Sequence, residues 1–187
     1  MGQLSYPDPP LTDGVVALRP WEDGDVEFVV RACQDERLSR YSPSIAFPYV
    51  EADARAWFAS HEPMRLQGEG IDLAVVEAGS GTPLGAIALV NVSWRDMRAE
   101  TGYWLAPEAR HHGYASRAVR LIVRWAFDQL QMLRVELKAD PDNLESQLVA
   151  GRCGFRREGR LRSHMVILHS GERRDSLIFG LLSGELT

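Results

Sequence analysis

The chain is poor in the features that mark secreted, membrane-spanning or nucleic-acid-coating proteins. Only two cysteines, Cys33 and Cys153, occur in 187 residues, and they lie far apart. They read as small residues on helix faces in a reducing cytosol rather than as a disulfide or a metal pair. Positive charge is in deficit: 21 Lys and Arg stand against 26 Asp and Glu, a formal net charge of −5. Neutralising phosphates or an anionic bilayer needs the opposite sign, so neither nucleic acid nor membrane is an expected partner. No apolar run approaches the roughly 20 residues of a membrane span. The opening MGQLSYPDPPLTDG has neither the basic start nor the apolar stretch of a secretory leader, and Tyr6 stands where a myristoylation signal needs Ser or Thr. A cytoplasmic location is the expectation.

Internal repeats and dividing linkers are absent too. What is there is an ordinary globular composition, 45% hydrophobic and 25% charged, in a length that suits one domain. Residues 1–13, with Pro7, Pro9 and Pro10, read as a flexible N-terminal tail or an extended arm, and 14–187 as the domain. Segment 14–21 reads as a strand closed by Pro20, and 22–41 as one or two short helices with acidic residues early. A proline loop follows, then a helix over about 50–66, where Ala54, Trp57, Phe58 and His61 recur at helical spacing. Segments 71–78, 83–94 and 99–106 read as strands joined by turn-rich GSGT and RDMR. The clearest helix spans 114–130, with Ala115, Ala118, Val119, Ile122, Val123, Ala126, Phe127 and Leu130 on one stripe. A strand at 133–139, a helix near 143–153 and a closing hairpin complete a mixed α/β pattern around one sheet.

The junction RHHGYAS (110–116) lies between strand and long helix. At such a junction the first helical N–H groups have no intrahelical acceptor and face outward at the positive end of the dipole, which suits a phosphate. Gly113 admits close backbone approach, Ala115 keeps the next contact small, Ser116 offers a hydroxyl and Arg110 a cation. The loop has neither the Gly-Lys-Ser/Thr ending of an NTPase loop nor the three glycines of a dinucleotide fingerprint. His111 and His112 could suggest a metal, but adjacent side chains diverge and no ligand-spaced partner is near, so no metal is expected.

Three motifs in order carry a resemblance. The loop has Arg110, Gly113 and Ala115 where a Gln/Arg-x-x-Gly-x-Gly/Ala acyl-CoA loop has its key positions; AETGYWL (99–105) precedes it; DPDNLES (140–146) and GRCGF (151–155) follow. Over about residues 15–182 the chain resembles the GNAT N-acetyltransferase superfamily, in particular its RimJ/RimL-type branch. The resemblance implies a single α/β domain with a mixed, mostly antiparallel sheet splayed near its middle and flanked by helices. It also implies acetyl-CoA as acyl donor, its pantetheine arm in the splay beside the backbone of Tyr103, Trp104 and Leu105, and its phosphates on Arg110, His111, His112, Gly113, Tyr114, Ala115 and Ser116. Asn143 would contact the pantetheine amides. The position of His111 is commonly Gly in such loops. A histidine there would be strained if the backbone needs a positive φ.

Acyl transfer to an amine needs a neutral amine and departure of a thiolate. An α-amine, with a pKa of about 8, is roughly a tenth neutral near pH 7, whereas a lysine amine costs about 3 kcal/mol more to deprotonate. Glu100 stands where many family members carry a catalytic glutamate. The competing reading is a strand carboxylate paired with Arg95 or Arg98. Alternation puts Glu100 and Trp104 on one face of the strand, with Thr101, Tyr103 and Leu105 on the other. The tyrosine that many relatives use as acid falls at Ala150, so the resemblance assigns Ser146 to assist the departing sulfur, against the plainer reading of a first-turn helix serine. Met165 stands where RimL-type enzymes can carry a glutamate. Tyr41, Phe47 and Trp57 are the candidate acceptor-pocket residues. The expected activity is direct transfer of acetyl from acetyl-CoA to a primary amine, on a protein N-terminus or a small molecule. A CoA-binding sensor or scaffold without turnover is the alternative, and a homodimer through the C-terminal hairpin is an open expectation.

Overall fold

The structure is a computed structural model describing residues 4–42, 44–168 and 170–186. Eight strands form one sheet: β1 (Leu11–Thr12), β2 (Val16–Arg19), β3 (Ile71–Glu77), β4 (Pro83–Ser93), β5 (Arg98–Leu105), β6 (Arg134–Ala139), β7 (Arg156–Val166) and β8 (Arg173–Leu182). Five α-helices flank it: α1 (Val26–Ala32), α2 (Glu36–Tyr41), α3 (Glu51–Gln67), α4 (Tyr114–Asp128) and α5 (Leu144–Arg152). The strand order is β1-β2-β3-β4-β5-β6-β8-β7, and every pairing is antiparallel except β5 with β6. That parallel pair is bridged by α4, as a crossover connection requires.

Alternation along the strands sorts apolar side chains onto two faces. Leu18, Ile71, Leu73, Ile87 and Leu89 pack on the α4 stripe of Ala118, Val119, Ile122 and Val123, all at most 1% exposed. Each such Val, Leu or Ile contributes about 1.5–3 kcal/mol of transfer free energy before conformational entropy opposes it. The other face meets Phe28, Val29 and Ala54 of α1 and α3, with Trp21, Trp57, Phe58 and Trp104 packed among them. Helix α3 ends at Gly68, whose φ of +73° supplies the left-handed cap that other residues adopt at a cost.

The N-terminal segment, from Leu4 on, packs against the domain. Leu4 is fully buried and its N–H donates to the Arg65 carbonyl at 3.2 Å. Arg65 donates back to the Leu4 carbonyl and lies 5.0 Å above the Tyr6 ring. Leu11–Thr12 then adds an edge strand to β2. The prolines stiffen the segment, but Leu4 and Tyr6 between them give it a face to bury; residues 1–3 lie outside the described residues.

The sheet splays where the motifs place a cofactor. Strands β5 and β6 pair only from Arg98–Arg134 to Thr101–Leu137. Beyond that point β5 stays with β4 as far as Leu105, and β6 stays with β8 as far as Ala139, so the two strands part. One edge of Gly102–Leu105 is left without a strand partner, and the wedge opens toward the start of α4.

Candidate active site

A cavity of about 810 Å³ passes through this wedge, lined by the α4 loop, the end of β5, the start of α5 and the segment joining α2 to α3. At one end stands Gly113, with φ +80° and no side-chain cap for the helix it opens. Among the described residues, none of the N–H groups from His111 to Ser116 has a protein acceptor. Six unpartnered amides at a 15-residue helix start fit an anion, because the helix dipole adds to their own. His111 takes the strained conformation that the loop imposes, φ +65°.

The side chains of that loop go separate ways. His111 lines the main cavity, while His112 lines a smaller hollow on the loop's other side with Arg117, Arg120, Arg124 and Arg152. Those four arginines were not singled out from the sequence as ligand groups; Arg117, Arg120 and Arg124 had a signal in their i, i+3, i+7 spacing on α4, whereas Arg152 comes from the end of α5. Tyr114, Ala115 and Ser116 line the main cavity, with Ala115 and Ser116 buried. Arg110 also borders the cavity, but its guanidinium is engaged. It pairs with Asp35, the N-cap of α2, and donates to the Leu105 carbonyl at 3.2–3.3 Å. It fastens the loop to the end of β5 and to α2.

Midway along the cavity lie Tyr103, Asn143 and Ser146. Asn143 caps α5, its Oδ1 accepting from the Ser146 N–H at 3.2 Å. The Tyr103 hydroxyl donates to Ser146 Oγ at 3.4 Å, spanning from β5 to α5. Burial pushes the Tyr103 phenol up to about 12, with the serine contact opposing, so it stays a proton donor at neutral pH. Ala150, where relatives of the resembled family place a tyrosine, is fully buried.

Glu100 lines the cavity and is paired, though not with Arg95 or Arg98. Its Oε2 accepts from Lys138 Nζ of β6 at 2.6 Å and from the Asn91 amide at 3.1 Å, leaving Oε1 without a partner among the described residues. Leu105 and Trp104 also face the cavity, as do Tyr41 and Trp57. Phe47 is not among the residues that line it. The loop turns Ile45 and Tyr49 inward instead, at 7% and 6% exposure. Sequence reasoning also missed Asp72, which lines the far wall from β3.

The geometry combines an anion grip, a slot between parted strands and a polar middle, which fits the long phosphorylated arm of an acyl-CoA. Cys33 and Cys153 are free and buried, and burial raises both thiols, Cys33 to about 12. Among the described residues, no group of three or more His, Cys, Asp or Glu converges as metal ligands, and no helix is long and apolar enough to cross a membrane.

Comparison with known proteins agrees with this geometry. Residues 16–156 match the family described as acetyltransferase (GNAT) domain. YdaF of Bacillus subtilis, provisionally named a ribosomal N-acetyltransferase, is 34% identical over 180 residues, covering 91% of this chain and 92% of its own. The spermidine N(1)-acetyltransferase of Escherichia coli K12 is 26% identical over 162 residues, 87% of this chain and 83% of its own. Among solved structures, Mycobacterium smegmatis RimJ in complex with CoA-disulfide superposes with a TM-score of 0.84 at 24% identity, covering 95% of this chain and 87% of that one.

Proposed function

The chain belongs to the GNAT acetyltransferase family, as an acetyl-CoA-dependent N-acetyltransferase, and on that premise we propose that it acetylates a primary amine by direct transfer. Glu100 is the base and Ser146 assists departure of the thiolate. The observation that carries this reading is the cavity itself, which joins the unpartnered amides of 111–116 to Glu100 through the splay. Acetyl-CoA supplies the activated acyl group when bound. Gly113, Tyr114, Ala115 and Ser116 would hold its phosphates through backbone N–H groups, and Arg120, Arg124 and Arg152, which line the hollow beside His112, would add cations, Arg117 there being paired with Asp13. The free edge of Tyr103–Leu105 and the Asn143 side chain would hold the pantetheine amides.

Each residue then has a stated task. Glu100, through Oε1, takes the proton that the amine loses as its nitrogen bonds to the acyl carbon. Lys138 and Asn91 hold the carboxylate in place through Oε2. Ser146, with the Tyr103 hydroxyl behind it, donates a hydrogen bond to sulfur as the C–S bond breaks. A thiol leaving group, with a pKa near 8.5, needs less help than an alkoxide, so this contribution is the smaller one. The amine of YdaF's name would be a protein N-terminus and that of the Escherichia coli enzyme a polyamine; both present a primary amine to such a site.

The test is release of CoA from acetyl-CoA with a panel of peptides and polyamines. Wild type is expected to turn over at least one amine, and Glu100→Gln to lower kcat by about 100-fold or more with CoA affinity unchanged. Tight CoA binding with no turnover across the panel would replace the enzyme reading by a sensor. Unchanged kcat in Glu100→Gln would remove Glu100 as base.

A further inference from the structure

The sheet face beneath α1 and α3 holds a carboxylate that the reaction above leaves unused. Asp72 pairs in register with Ala88, and Ala88 with Gly102, so the three form one row across β3, β4 and β5. Directly paired residues project to the same face, so the row presents a carboxylate, a methyl group and no side chain at all. It ends at Gly102, the first residue beyond the last β5–β6 pair. A Cβ built on Gly102 would meet nothing within 4 Å, and all three residues line the cavity. Trp57 and Trp104 line it as well, their rings 6.3 Å apart and tilted by 48°. The cavity floor is therefore clear from the splay to Asp72, a span of roughly 10 Å, two strand spacings.

Asp72 has no cation to balance it. Its side chain is 13% exposed, and its one charged contact among the described residues is His61 Nε2 at 4.0 Å. That imidazole nitrogen is itself buried without a hydrogen-bond partner. Desolvation pushes the Asp72 carboxyl up to about 7 and the His61 ring down to about 4, so His61 is neutral when Asp72 ionises. The other ionisable groups near it include Tyr6, whose phenol is raised by desolvation, by Glu62 and by Asp72 with Arg65 opposing, Arg65 itself being paired with Glu62, and on the same sheet face Glu100, already occupied with Lys138. A largely desolvated carboxylate on a cavity wall gains most from a cation that arrives with the ligand.

We propose that Asp72 binds a second positive charge on the acceptor, so that the enzyme selects primary amines bearing another cationic group on a short aliphatic spacer. The reacting nitrogen lies over Gly102 at the splay, the spacer crosses Ala88 beside Trp57 and Trp104, and the distal ammonium meets Asp72. This rests on the amine-acetyltransferase reading of the same cavity.

The test compares 1,4-diaminobutane with 4-amino-1-butanol, in which a hydroxyl replaces the distal ammonium, at pH 8.5 where Asp72 is ionised. Asp72→Asn is expected to lower kcat/KM for the diamine by about 10- to 100-fold, through KM, and to leave the amino alcohol unchanged. Asp72→Ser serves as a second variant, so that a folding defect in one does not decide the outcome. An equal loss for both amines, or no loss, would overturn the proposal. Calorimetry of diamine binding to the CoA-saturated protein gives a readout without turnover, with the same variants expected to bind at least about 10-fold more weakly. If no amine is acetylated, the acetyltransferase reading fails, and calorimetry alone decides on Asp72: equal diamine affinity in wild type and variants would overturn it.

Discussion

At the α4 end of the cavity the groups that would meet a ligand are the backbone amides of six consecutive residues, whereas at the β3 end they are side chains of Asp72, Trp57 and Trp104. The first end depends on where a helix starts and on two positive-φ residues, His111 and Gly113. The second depends on register across three strands and on how α3 lies over them. A backbone site holds its ligand whatever most neighbouring side chains are, so it suits the constant part of an acyl donor. A site of side chains can change with one substitution, so it suits the variable acceptor. If that division is correct, mutations at one end should leave the other end's ligand untouched.

The largest effect should come from Gly113→Asp. A Cβ at Gly113 meets nothing within 4 Å, so no clash intervenes. The new carboxylate would instead stand among amides that face an anion, at a φ of +80°. CoA affinity measured by calorimetry is expected to fall by more than about 100-fold, while binding of a diamine is retained. Gly113→Ala, which adds the backbone strain of about 1–2 kcal/mol without the charge, should lose much less. An aspartate variant that binds CoA within threefold of wild type would show that the amides are not the grip.

The same contrast explains what was legible in the sequence. The stripe of Ala118, Val119, Ile122 and Val123 recurs with the helix period, and the α4 loop is contiguous, so both could be read by spacing alone. The mostly antiparallel sheet and its splay were what the family resemblance carried by the three motifs implied. Contacts set by distant residues could not be read this way. Arg110 was assigned to the phosphates, but its guanidinium meets Asp35, 75 residues upstream. Glu100 was given Arg95 or Arg98 as its alternative partners, but the parallel neighbour brings Lys138. Asp72 carries no signal in its own neighbourhood, because the row it completes includes residues 16 and 30 positions away. At the N-terminus, prolines suggested mobility, while the anchoring came from Leu4 meeting Arg65.

A smaller effect isolates the β3 end without any ligand. In the folded protein Asp72 holds its proton up to about pH 7, against an ordinary value of 3.8. Between those values the folded state binds more protons than the unfolded one, so its contribution to stability is present at low pH and is lost as pH rises toward 7. His61 runs the other way. Its folded value of about 4 lies below the ordinary 6.5, so stability falls as pH drops from 6.5 toward 4. The two slopes oppose each other in wild type. Asp72→Asn removes one of them, so the variant should gain stability relative to wild type as pH rises from about 5 to 8, by roughly 2–4 kcal/mol. Chemical denaturation across that range measures it, and a difference that does not change with pH would mean that Asp72 is solvated like an ordinary surface carboxylate.

The smallest expected effect tests whether the α4 end is backbone throughout. His111 sits at φ +65°, a conformation that costs a non-glycine residue about 1–2 kcal/mol. Glycine would remove that strain but add conformational entropy to the unfolded chain, so His111→Gly should shift stability by no more than about 1 kcal/mol. If the imidazole contributes nothing to the phosphates, CoA affinity should hold or rise by up to about fivefold, as the loop amides reach their ligand geometry with less strain. A loss beyond about tenfold would give the His111 side chain a direct share in the grip. The donor end would then resemble the acceptor end, with a side chain as well as the backbone selecting the ligand.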